Sequence, residues 1–581
     1  MEGQNPAPGA TDGTAAGHTH KGENGFSLLS FVFGQNPLVF SAATATSLLS
    51  GLAAVALIIL INLALAPDRD DLVSLGLAFA AVAALTVALQ TASGILFGRL
   101  GQEVLARLRA RIAERVEAAP LRAVEQVGPA RIQALVTDDV FTIATVVVRL
   151  PVLFTNAVAI SGCLFYLAWL STPLFLGAAG MMALGVAGYM LVAGRARHHL
   201  EHAGGRQDAL FAHLSALVLG TKELKLNRAK AEDFRSRHLG AAIESVRRAR
   251  THGITLLALG SAWGSLIVFG FIGLVLFVFS GGGTVATGYA VVLLFLIGPL
   301  AAVMEDLPRL ALARVAGQRL ARTEAALAAR AEPGAIAVPF ESLVLGGVTH
   351  AYWDERTAEM FRLGPVDLAF APGEIVFLVG GNGSGKTTLA KLVTGLYAPE
   401  SGTVRLNGAI VDETSRSVQR ALFSAVFGDF HLFESLVGLS GAPDIDARAN
   451  RLISRLALTH KVSVEDGRFS TRDLSTGQRK RLALVAAVLE DRPFLVFDEW
   501  AADQDPAFKA VFYRELLPEL KALGKSVLVI SHDDRYFDCG DRVVHMENGQ
   551  VTADAPAAGG AARSGEPKFP KAEFVFHSTP M

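Results

Sequence analysis

Residues 374–397 read EIVFLVGGNGSGKTTLAKLVTGLY. A β-branched and aromatic run (374–380) enters a glycine-rich segment, and an apolar-periodic run (387–397) leaves it. That order predicts strand, loop and helix. The spacing G-x-x-x-x-G-K-T holds from Gly380 to Thr387. Glycines let backbone N–H groups turn inward around phosphate oxygens, and a following helix N-terminus favours negative charge. Lys386 supplies a point charge to the β- and γ-phosphates, and Thr387 a hydroxyl for Mg²⁺. Asn382, Gly383, Ser384, Gly385 and Thr388 complete the phosphate-facing set. The stretch implies ATP as the fuel and an α/β P-loop domain around it.

Downstream, FLVFDE (494–499) reads as a buried strand ending in two carboxylates. Asp498 is placed to hold Mg²⁺. Glu499 is placed beside the γ-phosphate, where a carboxylate orients and deprotonates water. Between loop and strand lies LSTGQRKRLAL (474–484). This Ser-x-Gly-Gln start, followed by a basic amphipathic helix, resembles an ABC-type ATPase over roughly residues 340–550. It differs from the commonest form, LSGGQ, only at Thr476. The resemblance implies that Ser475, Gly477 and Gln478 close over ATP bound to another nucleotide domain. It also implies that His532 in VLVISHDD is the switch histidine at the γ-phosphate, and that Asp505 in AADQDP crosses the dimer interface. Tyr352 in THAYWDE matches the aromatic that stacks on adenine, with its neighbour Trp353 as rival. One position departs from the family: in FSAVFGDFHLF (423–433), Gly428 falls where a Gln is usual, with Asp429 beside it to take over part of its contact.

Upstream, the chain is oily. Residues 38–66 and 72–98 carry no charge, and each suffices for one bilayer crossing. Residues 151–194 and 251–304 are uncharged and long enough for two crossings each, with breaks at Ser171-Thr172-Pro173 and Ser280–Thr284. Six transmembrane helices are expected. The connections 99–138 and 195–250 hold seven Arg and twelve Lys plus Arg, whereas APDRDD, STP and SGGGT together hold only Arg69 as a basic residue. The positive-inside rule puts the basic loops and both termini in the cytoplasm. Leu105, Leu108, Ile112 and Val116 recur at helical spacing, so the helices extend beyond the membrane, the sixth to about Arg330. Arg149, Glu305 and Asp306 lie at the margins of apolar runs. They face either a cavity or partner, or the inner interface. Gln90, Asn156, Trp263 and Glu305 could line a substrate path.

The chain has 581 residues, a net charge of −1 and 18% charged residues. Its mean hydropathy is +0.39. The length calls for more than one domain, and the balanced charge gives no field for nucleic acid. Cys163 and Cys539 make neither a disulfide framework nor a metal cluster. The expected order is a flexible tail (1–26, with His18 and His20), a six-helix transmembrane domain (27–330), a linker (331–340), the nucleotide-binding domain (341–554) and a second tail (555–581).

Six spans before one ABC domain resemble an exporter-type half-transporter. One phosphate loop and one LSTGQ cannot meet in the same domain, so a homodimer is implied. Short coupling helices are expected near 119–126 and 211–218. The strings GTKELKLN (220–227), GGNGSGKTT (380–388) and FDEWAADQDP (497–506) resemble the bacterial cyclic-peptide and siderophore-peptide exporters. That implies ATP-driven export of a cyclic or modified peptide across the bacterial inner membrane. A lipid flippase, a peptide importer and a non-hydrolysing sensor share the architecture. A soluble ABC protein acting on ribosomes or DNA is excluded by the six spans.

Overall fold

The computed structural model describes residues 33–34, 36–65, 72–279, 284–327, 338–354, 359–439 and 442–557. The chain divides into two compact units: Met1–Glu114 with Val127–Ala326, and Arg115–Gln126 with Leu327–Met581. The expected N-terminal tail with His18 and His20, linker residues 331–337 and the tail beyond Ala557 lie outside the described residues.

The first unit is helical. Its long helices are α1 (Pro37–Leu65), α2 (Leu72–Ala118, whose last turn from Arg115 belongs to the second unit), α4 (Pro129–Leu170), α5 (Thr172–Leu219), α7 (Arg228–Val278) and α8 (Thr284–Ala326). The short α3 (Leu121–Val127) follows α2 and belongs, up to Gln126, to the second unit, and the short α6 (Thr221–Leu226) follows α5. Six described helices are long and apolar enough to cross a membrane. The break between α4 and α5 is at Ser171, whose backbone is extended, and Pro173 fits the first turn of the next helix. Residues 280–283 of the other break lie outside the described residues.

Large apolar side chains such as Leu77, Val87, Phe165 and Trp169 are exposed on these helices, which suits an apolar surrounding rather than water. Large buried side chains such as Tyr166, Phe271, Tyr289 and Leu296 pack between helices, and small residues let the backbones approach closely at particular points. A Cβ on Gly51 of α1 would sit 2.6 Å from the Thr155 carbonyl of α4. Ser47 and Ser93 hydroxyls meet at 2.5 Å between α1 and α2. Trp263 of α7 lies over Gly188 of α5.

The charges left open by sequence find each other. Arg149 donates from Nε to Asp306 Oδ1 at 3.1 Å, and Arg309 Nη1 reaches the same oxygen at 2.6 Å. Glu305 pairs with Arg309. One expectation needs correction. The segment 211–218 is not a separate coupling helix but the interior of α5. Its run ALFAHLSALVL contains only good or neutral helix formers, so the turn waits for Gly220. The short helix is α6, ended at Asn227, whose side chain accepts from Lys230 N and starts the next helix. The sixth helix runs to Ala326, and residues 328–330, its expected continuation, lie outside the described residues.

The second unit holds two main sheets. The antiparallel one has order β2-β1-β4-β5, from β1 (Leu343–Asp354), β2 (Glu359–Phe370), β4 (Ser401–Leu406) and β5 (Ala409–Ile410). The other has order β12-β11-β3-β10-β9-β6 and is parallel except at β12. Its strands are β3 (Ile375–Gly380), β6 (Phe423–Val426), β9 (Phe494–Asp498), β10 (Ser526–Ile530), β11 (Arg542–Glu547) and β12 (Gln550–Pro556). Strands β9 and β10 are buried throughout, which is why they read as unbroken apolar runs rather than alternations. A small hairpin, β7 (Val464–Glu465) with β8 (Arg468–Phe469), completes the strands. Because β12 reaches Pro556, the expected domain end at 554 falls inside a strand.

The helix after the phosphate loop, α9 (Lys386–Val393), is shorter than the expected 387–397. Thr394 turns its hydroxyl back to the Ala390 carbonyl, and Gly395 takes φ +73°, a left-handed stop that ends helices.

Candidate active site

The phosphate loop joins the C-terminal end of β3 to α9. At Gly380 φ is +154°, and a Cβ there would lie 2.1 Å from the Met546 carbonyl of the neighbouring strand. Gly385 has φ +98° and caps α9. Both positions therefore need glycine. Asn382 and Gly383 are exposed on the rim, whereas Ser384, Lys386 and Thr388 are buried. The Ser384 hydroxyl is buried without a hydrogen-bond partner among the described residues. Lys386 Nζ donates to the carbonyls of Gly380 and Gly381, each at 2.9 Å. Burial lowers its pKa, against the pull of Glu499 and Asp498.

Thr387 Oγ1 donates to Asp498 Oδ2 at 2.8 Å. Two hard oxygen donors side by side suit Mg²⁺. Burial raises the Asp498 pKa, the Thr387 hydrogen bond opposes that rise and the Glu499 charge adds to it. Asp429 also acts on Asp498, so the loop after β6 faces this site. A Cβ on Gly428 would meet nothing within 4 Å.

Glu499 follows β9 with φ +48°, a strained position for a side-chain-bearing residue. Its N–H is held by the Ile530 carbonyl at 3.1 Å, so the β10 end fixes the backbone. His532 Nε2 lies 3.3 Å from Glu499 Oε1. The structure thus brings Lys386, Thr387, Asp498, Glu499 and His532 to adjoining ends of parallel strands, where ligands bind in such sheets.

The LSTGQ residues open α11 — named after α10 (Ile445–Arg455) — which spans Thr476–Leu489. Ser475 and Gln478 form a reciprocal capping box, at 3.3 and 3.1 Å. The spacing S-x-x-Q is itself the sequence signal for that cap. A Cβ on Gly477 would lie 2.7 Å from the Asp503 carbonyl. Asp505 caps the next short helix and pairs with Arg481 at 3.0 Å.

Four residues not singled out from sequence hold this region together. Lys480 Nζ donates to the Glu499 carbonyl at 2.9 Å, and Trp500 Nε1 to the Lys480 carbonyl at 2.7 Å. Gln504 bridges the Gly477 carbonyl and Arg481 Nε. The backbone of Glu499 and the LSTGQ helix are therefore one hydrogen-bonded assembly. Tyr352 lies near the end of β1, opposite Phe361. Its side chain and that of Trp353 lie outside the described residues.

The sequence pattern of the ABC transporter family matches residues 363–502, and that of the ABC transporter transmembrane region matches residues 37–300. ATP-binding protein SyrD of Pseudomonas syringae pv. syringae is 34% identical over 553 residues, 92% of this chain and 97% of SyrD. The mycobactin import ATP-binding/permease protein IrtB of Mycolicibacterium thermoresistibile is 28% identical over 426 residues, 68% of this chain and 71% of IrtB. An ATP-dependent lipid A-core flippase of Ralstonia nicotianae is 35% identical over 214 residues, 33% of this chain and 36% of the flippase. Among solved structures, a bacterial Atm1-family ABC exporter with ATP bound superposes with a TM-score of 0.68 at 18% identity, covering 91% of this chain and 95% of that one, so the two share a fold.

Proposed function

Since the chain belongs to the ABC transporter family, with its transmembrane region and its ATP-binding domain on one polypeptide, we propose that it exports a cyclic or otherwise modified peptide across the bacterial inner membrane as a homodimer. The chain is a multi-pass membrane protein that couples ATP hydrolysis to transport. The observation that carries the peptide reading is the set of strings at 220–227, 380–388 and 497–506; the alignment with SyrD over 92% of this chain supports the same arrangement of transmembrane and ATP-binding domains. The lipid A-core flippase aligns over 214 residues, too few to cover the whole transmembrane region, 37–300.

The chemistry follows from the site. Lys386 and the loop N–H groups hold the β- and γ-phosphates of ATP. Mg²⁺, held by Thr387 and Asp498, would neutralise charge on those oxygens. Glu499 accepts the proton of the attacking water as its oxygen bonds to the γ-phosphorus and the bridging oxygen leaves with ADP. His532 keeps the Glu499 carboxylate in line and contacts the γ-phosphate. Ser475, Gly477 and Gln478 of the second copy complete the site, and Tyr352 stacks on adenine. ATP then favours the closed dimer through its higher affinity for that state, and hydrolysis resets it. The nucleotide domains and both termini face the cytoplasm, on the side of the basic loops.

The test is ATPase activity in lipid nanodiscs, wild type against Glu499→Gln, with and without cyclic peptides. Stimulation by peptide, abolished in Glu499→Gln, supports the reading. Stimulation by particular lipids and by no peptide would replace it with a flippase. The similarity to IrtB favours one second reading, import, which uptake into right-side-out rather than inverted vesicles would establish.

A further inference from the structure

Helix α3 belongs, up to Gln126, to the nucleotide-binding unit, and it grips that unit at two points. Arg122 Nη2 donates to the Ala351 carbonyl at 2.9 Å, immediately before Tyr352, and its Nη1 pairs with Glu400 at 2.9 Å. Glu125 pairs with Lys391 Nζ at 2.8 Å and accepts from the Tyr397 hydroxyl. Lys391 lies on α9, downstream of the phosphate-loop lysine. One short helix thus holds the adenine-side strand through Arg122 and the phosphate-side helix through Glu125.

Under this clasp lies His350, only 1% exposed. Its ring stacks on Tyr397, with centroids 4.9 Å apart and planes at 21°. Nδ1 is 3.1 Å from the Ala398 carbonyl, which makes Nδ1 the proton-bearing nitrogen. Nε2 is buried with no hydrogen-bond partner among the described residues. A second proton would therefore create a buried N–H without an acceptor and a charge near Arg122. Burial holds the His350 pKa below the ordinary imidazole value, and Arg122 adds to this; the Ala398 carbonyl, Glu400 and Glu125 oppose it. The titratable and charged groups around the ring are Arg122 and Glu125 on α3 and Tyr397 and Glu400 between α9 and β4, with Lys391 of α9 over the Tyr397 ring.

We propose that His350 is a positioning residue for ATP: as the neutral imidazole it seats Tyr397, and through Tyr397 and Glu125 it keeps α3, the end of β1 and α9 in the arrangement that binds nucleotide. A base with a depressed pKa stabilises the docked state fully above the free imidazole value. That stabilisation is lost as pH falls below it, because the undocked state takes the proton more readily. The inference rests on ATP binding at the site above and needs no cargo.

The test uses the full chain in nanodiscs and reads ATP Kd by displacement of a fluorescent ATP analogue, with KM and kcat alongside. Between about pH 7.5 and about pH 5.5, wild-type Kd and KM are expected to rise at least about threefold more than those of His350→Gln, with a smaller change in kcat. Glu125→Gln, at a half-exposed position, is expected to raise Kd and KM at neutral pH by a similar factor. Parallel pH profiles in wild type and His350→Gln, or an unchanged Kd in Glu125→Gln, would overturn the proposal. The binding readout keeps this outcome separate from a failure of the hydrolysis assignment, which would abolish turnover while leaving Kd measurable.

Discussion

Arg149 and Asp306, 157 positions apart, meet at 3.1 Å between α4 and α8. Asp306 is 1% exposed, so its charge depends on Arg149 and Arg309 for compensation. Asp306→Ala leaves Arg149 without this partner, while Arg309 keeps Glu305, and because both guanidinium groups are more than a third exposed the expected cost is on the order of 1–2 kcal/mol. Thermal unfolding in detergent checks this. The double variant Arg149→Met/Asp306→Leu should recover much of the loss, because an apolar pair removes the desolvation cost as well as the attraction.

Glu499→Gln keeps the shape of the site and removes the base. Hydrolysis should fall by about 10²-fold or more, with ATP binding retained. Phosphate release and equilibrium binding, measured on the same preparation, separate the two effects. His532→Ala, 3.3 Å from the carboxylate, should lower kcat more than it changes KM.

Gly477 and Thr476 are neighbours with opposite expectations. Gly477→Ala pushes a methyl to 2.7 Å from the Asp503 backbone and should cost about 1–3 kcal/mol along with ATPase activity. Thr476 is exposed, so Thr476→Gly, the commoner residue in the family, should change stability by no more than about 1 kcal/mol. Thermal midpoints and turnover of the two variants give the comparison.

Gly428 has open space where a side chain would go. Gly428→Gln should fold with stability changed by no more than about 0.5 kcal/mol. If Asp429 stands in for the missing amide, Asp429→Ala should impair hydrolysis in the wild-type background and do so less when combined with Gly428→Gln. A double-mutant cycle on kcat measures that difference.

The phosphate loop and the six spans are legible because each is written in contiguous residues: Gly380 to Thr387 by spacing, the spans by absence of charge. What stays hidden depends on residues distant in sequence. Nothing near Arg149 names Asp306, and nothing near His350 names Tyr397 or Glu125. A short helix at 211–218 fails because it puts a break inside a run that favours helix, when Gly220 and Asn227 supply the breaks. Gln478 reads from the motif as a nucleotide contact, although S-x-x-Q also encodes the cap its side chain makes.

The length of α2 carries a mechanical consequence. Its 47 residues form one rod of about 70 Å. A tilt of about 5° in a rod of that length carries one end sideways by about 6 Å, roughly the pitch of one helical turn. Small angular changes are thus amplified by leverage alone, without bending any hydrogen bond along the way.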